Sequence, residues 1–289
     1  MRSETGWIEE LETLDSRQFT IALRGLADNL AYGIDKSPFV GSGVEYVQSR
    51  PYQEGDTVRS IDWRVTARTG RYFVKEYETP KSMPCYLLID TSASMTVSSR
   101  KRSKYHAAVY IAGGLALASL DRVSPVGIVG VGDRALRVQP SLSQTRVLQW
   151  LHHLRTYRFD EQTNLAARIS ELSPSLTSRA FFIVLSDLHD RHAVTALKRL
   201  VQRHDLVVLQ LEDPAEGGLR GAGFFRAREA ETGREFITHG RRRWVDPAWA
   251  ERDLKRAGID HLRIRTDQPF VHSLRNLFAS RGWIGKGGR

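Results

Sequence analysis

Apolar residues recur at helical spacing from Ser16 to Ala31, with Phe19, Leu23, Leu26 and Leu30 on one face and Ser16 placed to cap the start. A turn-rich connector, Gly33 to Gly43, follows. The pattern then changes to short extended pieces: Val44 to Tyr52, Asp56 to Val65 and Arg71 to Glu78. Turns at Gly55-Asp56 and Thr69-Gly70 separate them, and Pro80 and Pro84 close the segment. From Cys85 a different rhythm begins. The apolar runs Cys85 to Ile89, Val126 to Val131, Ala180 to Leu185, Leu206 to Leu211 and Leu262 to Arg265 read as strands. Between and after them, helical patterns cover Lys104 to Leu120, Ser143 to Leu154, Thr163 to Leu172, His192 to Arg203, Pro247 to Ala257 and Pro269 to Arg281. Asp246 stands at the start of the Pro247 helix. Ala135 to Gln139 is placed to pair back on Val126 to Val131 through the Gly132-Asp133 turn.

Continuous apolar strands alternating with helices predict an α/β fold: a doubly wound, mostly parallel sheet with helices on both faces. One interruption, Gly217 to His239, reads as an inserted hairpin turning at Glu231-Thr232-Gly233. The expected organisation is an N-terminal helical segment (1–32), a small β-rich module (33–82) and the α/β domain (83–289) carrying the hairpin at 217–239.

Composition narrows the classes. Hydrophobic residues at 41% permit a sizeable core, and the apolar stretch Ala107 to Ala118 falls short of the about 20 residues a bilayer needs, so it reads as a buried helix. The N-terminus has no apolar h-region, and one cysteine, Cys85, allows neither an intrachain disulfide nor a cysteine zinc site. A cytoplasmic location is the expectation. The net charge of +10 comes from scattered arginine, densest at Arg100-Lys101-Arg102, Arg241-Arg242-Arg243 and the Lys286 to Arg289 tail. A solvated basic face explains it, and a nucleic-acid role would rest on this charge alone.

In a doubly wound sheet, chemistry belongs at the carboxyl ends of strands near a topological switch point. There the sequence places Asp90-x-Ser92-x-Ser94, a carboxylate and two hydroxyls on one tight loop. Such oxygen donors suit Mg²⁺, with Mn²⁺ or Ca²⁺ as alternatives. Thr163, in the segment Asp160 to Leu165, and Asp187, directly after the Ala180 run, are placed to approach the same loop. Helix capping by Thr163 and Asp187 is the plainer reading, and it is compatible with metal binding.

Asp90, Ser92, Ser94, Thr163 and Asp187 together resemble the metal-ion-dependent adhesion site of von Willebrand factor A domains, complete and in order. The resemblance implies a von Willebrand factor A-like fold. It also implies direct ligation by Ser92 and Ser94, ligation by Thr163 directly or through water, and Asp90 and Asp187 acting through waters and hydroxyls. A cation held this way keeps a position open for a partner's carboxylate. The sequence departs from the family at Leu188, where many members carry glycine; His189 and Asp190 then read as loop and cap residues, with crowding of the site or an added ligand as the alternative.

Upstream, Arg50, Tyr52, Gly55, Asp56, Arg59, Ile61, Asp62, Trp63, Arg64, Ala67 and Arg68 form a dense signature. It resembles that of the bacterial family known as domain of unknown function 58, and the likeness extends over about Gly33 to Asp213. Asp56 with Arg59, and Asp62 with Arg64 or Arg68, are expected ion pairs, with Trp63 as an apolar anchor. The segment is either a salt-bridged scaffold or a docking surface in which Arg59, Asp62, Trp63, Arg64 and Arg68 meet a partner. The resemblance implies a companion of MoxR-type AAA+ ATPases, acting on client proteins in maturation or complex assembly.

Enzymatic readings fare less well. A phosphatase of the haloacid dehalogenase type needs a second Asp two residues after Asp90, where Ser92 stands. No P-loop, dinucleotide fingerprint or nucleophile elbow is present, and His189-x-x-His192 lacks metalloprotease spacing. A divalent-cation-dependent binding module, and not an enzyme, is the expectation; a metal-dependent hydrolase using Asp90 and a basic nucleic-acid-binding protein are the alternatives.

Overall fold

The computed structural model describes residues 5–7, 16–31, 45–54, 56–78, 83–134, 136–158, 160–217, 223–228, 230, 233–239 and 247–281. The connector after Gly33, the Gly55 turn position, Glu231-Thr232, Asp246, the triplet Arg241-Arg242-Arg243 and the Lys286 to Arg289 tail lie outside these residues. The chain forms two compact units, one of residues 1–34 with 83–289 and one of residues 35–82.

In chain order the elements are β1 (Thr5–Trp7), α1 (Ser16–Ala31), β2 (Glu45–Pro51), α2 (Trp63–Thr69), β3 (Phe73–Glu78), β4 (Cys85–Ile89), α3 (Ala93–Thr96) and α4 (Lys104–Asp121). They continue as β5 (Val126–Gly130), β6 (Arg137–Ser141), α5 (Gln144–His153), β7 (Thr156–Arg158), α6 (Leu165–Leu172), β8 (Phe181–Ser186), α7 (Arg191–Leu200) and β9 (Asp205–Glu212). The last are β10 (Phe224–Arg228), β11 (Glu235–His239), α8 (Pro247–Arg256), β12 (Asp260–Arg265) and α9 (Val271–Ser280).

The larger unit is an α/β fold on a six-stranded sheet in the order β12-β9-β8-β4-β5-β6, parallel except for β6, and it is consistent with a von Willebrand factor A-like architecture. Both faces are covered because the central strands are apolar on both. Along β4, Cys85, Leu87 and Ile89 join a core with residues of α1, α4, α5 and α9. Tyr86 and Leu88 join a second core with residues of α6, α7 and α8. Helix α4 is buried along nearly its whole length, as the Ala107 to Ala118 run predicts. Among the described residues no helix is long and apolar enough to cross a membrane.

Helix α1 is part of this unit, packed on α4. Gly113 and Gly114 make the approach possible: a Cβ at either would run into the side chain of Leu23 or Leu26. The three-residue pair β1 and β7, antiparallel with Gly6 opposite Tyr157, lies beyond the reach of sequence periodicity. The expected hairpin is present as β10 and β11, with Phe224 opposite His239.

In the smaller unit β2 and β3 pair antiparallel, with Ile61 bridged to Val74. The Asp56 to Val65 piece is not extended. It forms a 3-10 turn at Val58–Ser60 and leads into α2, whose N-terminal amides Arg64 N and Val65 N are capped by Asp62. Gly70, at φ 69, ends that helix in the left-handed region.

Two outcomes follow from local structure. Helix α4 ends in a Schellman arrangement, with Ser124 N donating to Ser119 O at 3.0 Å and Val123 N to Leu120 O at 2.9 Å. Val123 takes the glycine position at φ 61 while 63% exposed, so its side chain gains little and strains the backbone. Val123→Gly should raise unfolding stability by about 1 kcal/mol in urea titration; a lower midpoint would contradict this. Cys85 is fully buried, and burial pushes its thiol up to about 12 against a hydrogen bond with Ser119. It should resist thiol reagents at pH 8 until the protein is denatured.

Candidate metal centre

Strands β4 and β8 are in-register neighbours, with Ile89 opposite Leu185. The chain leaves β4 toward β5 and leaves β8 toward β9, in opposite directions along the sheet. The crevice between their carboxyl ends is the topological switch point. Asp90 follows β4, and Asp187 follows β8, so the sheet sets the two carboxylates side by side.

The loop after β4 turns back on itself through Asp90. Its Oδ1 accepts Ser92 N at 3.0 Å, and its Oδ2 accepts the Ser186 hydroxyl at 2.6 Å. The Ser92 and Ser94 hydroxyls lie 3.1 Å apart, and Ser94 Oγ donates to Asp187 Oδ2 at 2.8 Å. Asp90, Ser92, Ser94 and Asp187 are therefore one buried hydrogen-bonded chain. The loop that carries half-buried Thr163 is tied to the β4 loop and to the end of β5: Ala93 N donates to Glu161 O at 2.7 Å and Asn164 N to Val131 O at 2.8 Å. It does not cap α6, whose N-cap position is Asn164, nor does Asp187 cap α7, whose N-cap is Asp190. Both expected caps are displaced because their loops run one to three residues further before the helices start.

Several residues that spacing did not single out complete the surroundings. Lys104, the first residue of α4, donates to Asp187 Oδ2 at 2.8 Å and also bonds Glu216. His189 Nδ1 lies 3.4 Å from Asp187 Oδ2. On the other side, buried Glu161 accepts the Thr91 hydroxyl at 2.6 Å and Arg134 Nε at 2.7 Å. Gly132 closes over this pair, where a Cβ would collide with both Glu161 and Thr91. Ser186 and His189 had a visible signal, closeness to Asp187, and Thr91 lies in the Asp90 loop itself; Lys104, Glu161 and Arg134 reach the site only through tertiary packing.

The electrostatics are uneven. Burial, and then the charge of Asp187, raise the Asp90 carboxyl above its usual range, against the hydrogen bonds from Ser186 and Ser92. Burial opposes the Asp187 charge too, but Lys104 and His189 outweigh it and hold that carboxyl low. Asp187 thus has a cation and Asp90 has none among the described residues. The donor set fits a hard divalent ion: two serine hydroxyls, with Ser94 giving its proton to Asp187 and keeping its lone pairs, beside a buried carboxylate whose charge lacks compensation.

The Arg50 to Arg68 signature is arranged differently from its expected pairs. Asp56 is gripped by Arg50 through two hydrogen bonds of 2.8 Å and takes Gln53 N at 2.9 Å. Asp62 caps α2 and accepts the Ser49 hydroxyl at 2.7 Å, which holds its carboxyl below the usual range against burial. Its side chain is turned to the module's own frame, so Arg64 and Arg68 are left exposed on α2. Trp63 is 61% exposed and is not buried as a core anchor of the module. The Arg59 side chain lies outside the described residues.

Leu188 occupies the left-handed region at φ 56, which accounts for glycine at this place in similar sites. Here the side chain is buried in the second core. Strain of about 1–2 kcal/mol is set against about 2–5 kcal/mol for losing a buried leucine. Leu188→Gly should therefore destabilise the protein by about 2 kcal/mol despite relieving the backbone, and a gain in urea midpoint would refute that balance.

Comparison with known proteins agrees with the signature. The uncharacterized proteins Mb1516 of Mycobacterium bovis (strain ATCC BAA-935 / AF2122/97) and Rv1480 of Mycobacterium tuberculosis (strain ATCC 25618 / H37Rv) are each 25% identical over 287 residues, covering 92% of this chain and 88% of theirs. A crystal structure of an uncharacterized membrane spanning protein from Vibrio fischeri aligns over 68% of this chain and 96% of its own at 16% identity, with a TM-score of 0.22, too low to inform the fold. A family model described as "Protein of unknown function DUF58" matches residues 48–255. That span takes in the Arg50 to Arg68 signature, the Asp90 loop and Asp187, and the chain belongs to the DUF58 family.

Proposed function

We propose that this protein is a divalent-cation-dependent protein-binding module, a cytoplasmic adaptor working with a MoxR-type AAA+ ATPase on client proteins in maturation or complex assembly. The observation that carries the reading is buried Asp90, without a cationic partner among the described residues, beside the Ser92 and Ser94 hydroxyls at the switch point. Ser92, Ser94 and Thr163 would hold the ion, while Asp90 and Asp187 orient the hydroxyls and bound waters. Bound Mg²⁺ would supply an open, electrophilic position for a partner's carboxylate.

Both Asp90 oxygens are already engaged, by Ser92 N and by Ser186 Oγ, which argues against a nucleophilic role in hydrolysis. On α2, exposed Trp63, Arg64 and Arg68 offer a second contact surface for carboxylates or phosphates, with Arg59 on the turn before.

Calorimetric titration of Mg²⁺ into EDTA-treated protein tests the site. The wild type should bind, and a Ser92→Ala/Ser94→Ala variant with an unchanged metal-free melting curve should not. Asp90→Ala should lose both the ion and the ATPase partner without unfolding, because it removes a buried charge. Retention of the ATPase at wild-type affinity by folded Asp90→Ala would end the adaptor mechanism. Ion binding of equal strength in the double alanine variant would place the ion elsewhere.

A further inference from the structure

Lys104 is an unusual residue for its place. It opens α4, where the helix dipole disfavours a cation, and it is only 1% exposed. Burial disfavours its charge, and the charges of Asp187 and Glu216 more than reverse this. The Asp187 Oδ2 that Lys104 contacts at 2.8 Å is the same oxygen that accepts Ser94 Oγ at 2.8 Å. The ligand atoms of Asp187, His189 and Glu216 lie within 4.8 Å of one another, a group of the kind that could hold a metal. In this state Nζ is bonded to two of the three, so the group is set about a tethered cation.

Building on the metal-site reading above, we propose that the Lys104 ammonium is a built-in counter-cation that competes with the divalent ion for Asp187. Ion binding displaces it, and the ease of that displacement sets the affinity of the site. A divalent ion on Ser94 and an ammonium on the carboxylate that Ser94 hydrogen-bonds would be like charges in a dry pocket, where repulsion is poorly screened. Glu216 supplies the alternative position. It sits on the short turn Pro214–Gly217 with its side chain 21% exposed, and it already shares the ammonium. Lys104 can therefore leave Asp187 and keep one ion pair, in a less buried setting.

Two measurements with Mg²⁺ as the probe test this. In the wild type, the ¹⁵N signal of the Lys104 ammonium should be slow to exchange with solvent without the ion and should lose that protection at saturating Mg²⁺. Protection that persists with the ion bound would overturn the displacement. In the second, Lys104→Gln, checked for folding by its melting curve, should bind Mg²⁺ about ten-fold or more tightly than the wild type, as expected when a competing charge is lost from a buried pair. Affinity equal to or weaker than the wild type, in protein whose binding is still lost on Ser92→Ala/Ser94→Ala, would overturn the competition and leave the metal site standing. Absence of binding in both wild type and Lys104→Gln would overturn the metal site and this proposal together.

Discussion

Two carboxylates stand at the ends of adjacent parallel strands, in register and out of water, and neither can hold a charge there without help. Lys104 supplies that help to Asp187 from the start of a helix that is otherwise almost wholly apolar. Among the described residues Asp90 has only dipoles, the Ser92 amide and the Ser186 hydroxyl. The rest of the site follows from this asymmetry. The Ser92 and Ser94 hydroxyls link the two carboxylates, and the loops after β4 and β8 turn tightly with both groups buried. Leu188 accepts a left-handed backbone at that turn because its side chain is rewarded in the core beneath.

The sheet makes such a pair possible. A strand buried on both faces has no solvent side on which to place a polar group, so polarity is forced to the strand ends. There the opposite departures of the chain from β4 and β8 open a crevice. Glu161, Thr91 and Arg134 form a second polar group on the flank, with Arg134 Nη2 buried and unpaired among the described residues, and Gly132 leaves them room. The two groups meet through the Asp90 loop, since Thr91 belongs to one and its neighbours Asp90 and Ser92 to the other.

Much of this was legible in the sequence, for identifiable reasons. Runs such as Cys85 to Ile89 and Ala180 to Leu185 are unambiguous because double burial removes every polar residue from them, and the structure places β4 and β8 within a residue of those bounds. Asp90, Ser92 and Ser94 stood out because alternation on a loop after a strand is a local pattern. Helix α2 did not stand out. Val58, Ile61, Trp63 and Val65 mimic strand alternation, while the real determinants are the Asp62 cap and the Gly70 stop, two residues that act on backbone ends. Lys104 was hidden for a different reason. Its partners lie 83 and 112 residues away, and no periodicity encodes a contact of that range. The Asp56 partner was misassigned because several arginines are close in sequence and only the fold selects Arg50.

The antiparallel pairing of β2 with β3 sets Glu45 opposite Glu78, so the outer ends of this strand pair lie side by side. It is also spliced between α1 and β4, two parts of the same larger unit. Such an insertion adds little to the loop-closure entropy of docking α1 on α4, a quantity that grows by only about 0.6 kcal/mol for each doubling of loop length. The length of what is carried between residues 34 and 83 is therefore only a weak constraint on the larger unit's own stability.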